Sequence, residues 1–138
     1  SMGGGVSRAI GKAAGPELWK QVQRLIPVRP GRAVVTSAGN LPARFIFHSV
    51  TMGRFHGDNG RWVSPSRDLI NEIMESWFYH ADTLGVQSIA FPLLGTGVAG
   101  FSAEVCLDTM FRFLVRKLSR GITTVREARL IIFRRYSD

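Results

Sequence analysis

One cysteine, Cys106, stands in a chain of 138 residues. A lone thiol excludes an internal disulfide and a cysteine-rich zinc site. It fits a reducing, intracellular setting, cytoplasmic or nuclear. No apolar run approaches the roughly 20 residues that cross a bilayer. No signal peptide opens the chain either, so no membrane partner is expected. Histidine is scarce, and His56 and His80 lack acidic or cysteine partners at ligand spacing, so no metal is expected. Internal repeats, linkers and low-complexity segments are absent. The length suits one domain with a sizeable core and is too short for two.

Acidic residues are the other scarcity, with 10 Asp+Glu against 18 Lys+Arg and a net charge of +8. Much of the excess lies late in the chain, at Arg112, Arg116, Lys117, Arg120, Arg126, Arg129, Arg134 and Arg135. Such a charge speeds encounters with anions. It leaves two readings open, a solvated face or a surface for a polyanion such as nucleic acid.

What is present is alternation. Val6, Ile10, Ala13 and Ala14 fall at helical spacing behind a glycine run, and Gly15-Pro16 starts a second helix carrying Leu18, Val22, Leu25 and Ile26. Ala33–Thr36 and Phe45–Val50 read as strands, the second as a continuous apolar run covered on both faces. Residues 51–63, rich in Gly, Asn and Asp, read as a long surface loop.

A helix is expected over about 64–84, with Leu69, Ile70, Ile73, Met74, Trp77, Ala81 and Leu84 as its apolar stripe and Gly85 closing it. Val86–Phe91 is the next strand. A helix from Ser102, its N-cap, to Ser119 turns Cys106, Met110, Phe111, Leu114 and Leu118 inward. Ala128–Phe133 is the last strand. The order α-α-β-β-α-β-α-β implies an α/β fold, a three-layer α-β-α sandwich around a mixed, mostly parallel sheet.

Two loops could carry chemistry. Gly3-Gly4-Gly5-Val6-Ser7 precedes a helix, whose N-terminal amides and partial positive charge attract phosphate. Alone, the triplet reads more readily as linker than as a phosphate site. The second run, Pro92 to Phe101, follows the carboxyl end of a buried strand, where open α/β sheets bind ligands. An ordinary βα turn needs one glycine. Gly95, Gly97 and Gly100 within six residues favour a loop whose amides turn inward around an anion. It is neither a Walker loop nor a dinucleotide fingerprint.

The runs GGGVSRAIGKAAG and SIAFPLLGTGVAGFS, with VVTSAGNLPARFIFHSV between them, resemble the macrodomain family over nearly the whole chain. The resemblance implies a module that binds ADP-ribose or ADP-ribosylated proteins without cofactor or metal. Amides of Gly4, Gly5 and Val6, with Ser7 beside them, would face one phosphate. Gly95, Thr96, Gly97 and Val98 would wrap the other phosphate and the distal ribose, with Ala99, Gly100 and Phe101 completing that loop. Members of the family have strands ahead of the triplet that bear an adenine-recognising acid and an Asn-Ala-Ala-Asn stretch.

These are not in this chain, so it reads as a domain over 3–138, truncated at its N-terminus, with Ser1-Met2 resembling an expression-vector remnant. Loss of an interior strand implies a gap between paired strands. Either the strands close up, or another copy fills the space and makes a homo-oligomer, or the pocket stays incomplete.

The family's hydrolase branch places Asp where Ser7 stands, and many members carry an aromatic where Ala99 stands. Removal of mono-ADP-ribose from proteins is therefore the alternative reading, with its catalytic residues unknown. Phe101 reads equally as a cap on the ribose or as core. His48, within a strand, reads as a hydrogen-bonded core histidine, and Cys106 as inert packing. Trp62 and Phe55 could stack on a base, but read better as loop aromatics folded over the core.

Overall fold

Helix α1 (Gly5–Ala14) starts on the glycine run, and α2 (Pro16–Leu25) follows after a single residue. That residue, Gly15, has φ +93°, a backbone state L side chains rarely adopt. Pro16 then supplies a preset φ at the first helical position. The computed structural model describes residues 5–51, 53–55, 60–94 and 101–132. Ala14, Leu18 and Val22 bury themselves in a small cluster with Ile10, Leu41 and Ile46 packed on it. Leu25 and Ile26, expected on that stripe, are 40% and 54% exposed. Helix α2 ends at Leu25, before these side chains meet a partner.

Strand β1 (Ala33–Ser37) pairs antiparallel with β2 (Phe45–Ser49), Val35 opposite Phe47. Their connection is locked to the end of α1. The Asn40 amide donates to the Ala14 carbonyl at 2.9 Å, and Gly39 turns the chain at φ +56°. A Cβ on Gly39 would sit 2.3 Å from that same carbonyl oxygen.

The expected loop at 51–63 contains a short hairpin, β3 (Gly53–Phe55) against β4 (Arg61–Val63). Gly53 of that run opens β3, and Gly60, at φ +72°, stands just before β4. Residues 56–59 between the two strands lie outside the described residues.

Helix α3 (Arg67–Leu84) begins where the Ser66 hydroxyl accepts from the Leu69 amide at 3.1 Å. It ends at Gly85, left-handed at φ +69°. Its buried face is Leu69, Ile70, Ile73, Met74, Trp77, Phe78 and Ala81, while Leu84 at its last turn is 38% exposed. Strand β5 (Ser88–Pro92) pairs in parallel with β6 (Glu127–Ile131), Ala90 opposite Arg129. Phe133, expected at the end of β6, lies outside the described residues.

Helix α4 (Ala103–Ser119) buries Cys106, Thr109, Met110, Phe113 and Leu114. Phe111, expected inward, is 60% exposed. At about 100° per residue it is rotated off the seam that 106, 110 and 113 define, and Phe113 takes the inward place.

The layers are those of an α-β-α sandwich. Helices α2 and α3 both pack on β1. Beyond β1, α3 and α4 build the main core with Phe91, while Ile89, Ala128 and Leu130 lean on it. Side chains of Ser88, Ala90, Glu127, Arg129 and Ile131 face the other way and are exposed. The strands are mixed in direction and divided into three pairs, β1–β2, β3–β4 and β5–β6.

Candidate functional site

Of the residues expected to hold the first phosphate, Gly5, Val6 and Ser7 form the opening of α1; Gly4 lies outside the described residues. The glycine run therefore stands at a helix start, where amides lack intrahelical acceptors and the macrodipole is positive. No acidic side chain occupies that first turn, so nothing there opposes an anion.

The second loop hangs between two firm feet. Strand β5 ends at Pro92, and Leu93 and Leu94 lean on the main core. The Cys106 thiol, fully buried in α4, donates to the Leu94 carbonyl at 3.0 Å. Burial pushes that thiol up from its ordinary range, against a smaller downward pull from the Leu94 bond. Cys106 thus stays protonated and holds the loop's entry. At the exit, Phe101 is half-buried against the same core, and the Ser102 hydroxyl accepts from the Val105 amide at 3.4 Å to begin α4. Gly95, Thr96, Gly97, Val98, Ala99 and Gly100 lie outside the described residues. The Cys106–Leu94 bond left no trace in the sequence, because twelve residues of chain separate its partners.

A cavity of about 950 Å³ runs beside these feet. It is bounded by β2 at Phe45–Phe47 and by β5 along Ser88–Pro92, with Ile10 of α1 and Trp77 of α3 also lining it. Trp77 ties the two sides together. Its ring lies 5.5 Å from that of Phe91 in β5, and its Nε1 donates to the Ser49 hydroxyl in β2 at 2.8 Å.

His48 is half-buried, and its Nε2 lies 2.9 Å from the Thr36 hydroxyl. That hydroxyl donates to the Ser37 carbonyl at 2.9 Å, so His48 is the donor in their bond. Burial lowers its pKa, and the neutral ring suits a structural histidine. His80 places Nε2 3.0 Å from the Ala33 carbonyl and so joins α3 to β1. Among the described residues no group of three His, Cys, Asp or Glu could hold a metal.

The basic residues are partly spent on local pairs. Arg67 and Arg112 both bind Asp108, at 2.8 and 2.9 Å. Lys117 reaches Glu75 at 3.0 Å and lies over the Phe113 ring, while Arg129 pairs with Glu127. Arg116, Arg120 and Arg126 are exposed. Among the described residues no helix is long and apolar enough to cross a membrane. Trp62 in β4 is 54% exposed rather than folded over the core.

A three-layer α/β domain with one glycine run opening a helix and another loop leaving the carboxyl end of a parallel strand is the class this geometry defines. The macro domain family model matches residues 1–110, and the chain belongs to that family.

Among curated proteins it is 36% identical to an uncharacterized protein of Mycobacterium tuberculosis, over 85% of this chain and 30% of that one. It is also 36% identical to the O-acetyl-ADP-ribose deacetylase of Citrobacter rodentium, over 85% of this chain and 68% of that one. The chain therefore spans under a third of the Mycobacterium protein. Among solved structures, an Oceanobacillus iheyensis macrodomain with ADP superposes at a TM-score of 0.80. Its identity is 26%, covering 96% of this chain and 70% of that one. A glycine-to-valine mutant of that macrodomain with ADPR gives 0.72 at 28%, over 96% of this chain and 71% of that one.

Proposed function

We propose that the chain binds ADP-ribose, free or attached to protein, between the N-terminus of α1 and the loop that joins β5 to α4. The observation that carries this reading is that both glycine-rich segments sit where an α/β domain offers backbone amides to an anion. One opens a helix, and the other leaves the carboxyl end of a parallel strand. Solved relatives above 25% identity that carry ADP or ADPR support it. Amides of Gly4, Gly5 and Val6, beside Ser7, take one phosphate. Amides of Gly95, Thr96, Gly97 and Val98 take the other phosphate and the distal ribose, with Ala99, Gly100 and Phe101 closing that side. The site works through amides and helix dipoles and uses no metal.

Calorimetry with ADP-ribose tests the reading, with Gly97→Glu as the probe of the second loop. The substitution adds bulk and a negative charge where a phosphate is to sit. Binding should drop by about a hundredfold or more, since a lost charge-assisted contact and a new repulsion each cost about 1.5–3 kcal/mol. Equal affinity for both proteins, or no heat from the unsubstituted chain at high ligand, would reject the site.

A second reading follows from the relatives named O-acetyl-ADP-ribose deacetylase. Water would add to the acetyl carbon and ADP-ribose would leave, giving acetate and ADP-ribose. Chromatography of O-acetyl-ADP-ribose after incubation decides it. Unchanged ester at enzyme excess removes it.

A further inference from the structure

We infer that the seam where α3 meets the last turn of α4 docks a short acidic segment of another protein, with one large apolar side chain entering a pocket beside Ile122. This goes beyond the ADP-ribose reading and does not rest on it.

The pocket holds about 300 Å³ and is lined by Glu75, Phe113, Arg116, Lys117, Arg120 and Ile122. That volume stands at the lower end for a ligand cleft, so it suits a single side chain. Phe113, 4% exposed, gives it an apolar wall. Lys117 is already engaged, bonding Glu75 at 3.0 Å and lying over the Phe113 ring. Arg116 and Arg120 are exposed. Among the described residues no carboxylate pairs with either of them.

Ile122 is the second mark. At 77% it is the most exposed large apolar side chain among the described residues, and a pinned loop holds it there. Gly121, at φ +66°, turns the chain out of α4, and its amide donates to the Leu118 carbonyl at 3.2 Å. On the other side, Asp82 accepts from the Thr123 hydroxyl and from the Thr124 amide. The Thr124 hydroxyl also donates to the Val86 carbonyl at 2.8 Å, and Val125 is buried. An apolar side chain displayed in this way gains when it is covered and loses little further freedom on binding. Apolar anchors beside arginines are where interface energy concentrates.

Charge and spacing choose the occupant. Arg116 and Arg120 stand four residues apart at the helix end, with about 5–6 Å between their Cβ atoms. Alternate residues of an extended peptide face one way at about 6.6 Å. Two carboxylates separated by one residue therefore match the two guanidiniums and form charge-assisted bonds with them. An apolar residue further along the same face of the peptide reaches the pocket and Ile122.

The other occupants fit less well. A nucleic-acid strand would leave Ile122 uncovered and bring its phosphates against Glu75, whose side chain is 62% exposed. A second copy related by a twofold axis would set these cations against themselves. None of the ten acids of this chain stands two residues from another, so a copy has no such pair to offer. The pocket is also remote from the proposed phosphate loops. Helix α4 runs seventeen residues from the exit of the second loop to this end, or about 25 Å at 1.5 Å per residue.

Fluorescence anisotropy on the full chain tests the inference. The probes are labelled peptides carrying the run Glu-Ser-Glu-Ser-Leu, the same run reversed, and both with Phe in place of Leu. One of them should bind, and binding should weaken as salt is raised. Affinity should fall about tenfold or more when the apolar residue of the peptide becomes Ser, or when the protein carries Ile122→Ser or the pair Arg116→Gln and Arg120→Gln. These side chains are exposed, so the variants should keep the native Tm and the native affinity for ADP-ribose. In the unsubstituted chain the peptide should shift the Ile122 methyl resonances, a readout that needs no variant. Three results would overturn the inference. One is that no peptide changes anisotropy at the highest protein concentration in low salt. Another is that an oligodeoxythymidylate or the Ser-substituted peptide binds as tightly as its apolar parent, which makes the patch a plain polyanion surface. The third is a dimer in sedimentation that Ile122→Ser dissolves, which makes a second copy the occupant. Because no probe contains ADP-ribose, failure here and failure of the binding reading are separately visible.

Discussion

Trp77 is the joint between the two strand pairs, and its removal in stages should show that. The side chain is 5% exposed. Its ring packs on Phe91 and its Nε1 bonds Ser49, so it touches both walls of the cavity. Trp77→Phe deletes the hydrogen bond, worth about 1 kcal/mol, and leaves a partial cavity costing roughly 1–2 kcal/mol. The loss of about 2.5 kcal/mol corresponds to a Tm fall of about 10 °C, at about 4 °C per kcal/mol for a chain of this size.

Ser49→Ala instead leaves the buried indole N–H without its partner, a loss of about 1–2 kcal/mol. In the double variant the hydrogen-bond contribution is counted once. The cycle should therefore return a coupling of about 1 kcal/mol, read from urea or thermal denaturation of all four proteins. Additivity within about 0.3 kcal/mol would show that Trp77 and Ser49 do not act together. A Trp77→Phe loss below about 1 kcal/mol would show that the residue is not a joint at all.

Two further outcomes can be checked by the same denaturation. Gly39→Ala and Gly85→Ala both place Cβ at positive φ, costing about 1–2 kcal/mol for the conformation. A Cβ at Gly39 also meets the Ala14 carbonyl oxygen at 2.3 Å, whereas Gly85 faces open space. Gly39→Ala should therefore lose markedly more stability, and equal losses would refute the close approach. Asp82 accepts from the hydroxyl of Thr123 and from the amide and hydroxyl of Thr124. Burial raises its pKa, but these bonds and Lys117 together hold it below the ordinary value of 3.8. A depressed carboxylate stabilises above its unfolded pKa and loses that contribution as pH falls through the folded one. The Tm gap between the native chain and Asp82→Asn should thus be constant above about pH 5 and close below it. A gap that widens on acidification would contradict the sign.

Local signals were legible and pairings were not. Gly85 and Ser102 were readable because a left-handed closing glycine and a capping serine act within a few residues. The α3 stripe was readable because eighteen residues repeat one period. The β3–β4 hairpin was not, since strands of three residues carry no periodicity to detect. Phe111 was placed inward because α4 is apolar on several sides, and only the position of α3 decides which side is buried. The candidate site divides the same way. The glycine runs declared themselves by composition. What anchors the second loop, Cys106 on Leu94 and Phe101 on the core, depends on contacts between distant residues.

The two halves of the proposed site belong to different packing units, which gives the spacing of β2 and β5 a consequence for binding. Helix α1 rests on the small cluster of Ala14, Leu18 and Val22, beside β2. The second loop is tied at Leu94 and Phe101 to the main core, beside β5. A diphosphate held by both must fix the spacing of β2 and β5. Trp77 acts on the same spacing, since it bonds Ser49 in β2 and packs on Phe91 in β5. Two contributions that select one spacing favour each other, and couplings of this kind run to about 1–3 kcal/mol, or about 5- to 150-fold in affinity. Trp77→Phe, titrated with ADP-ribose by calorimetry at a temperature where it is fully folded, should therefore bind about fivefold or more weakly than the native chain. Equal affinity would mean that the spacing is set without Trp77, and that this joint and the phosphate loops act independently.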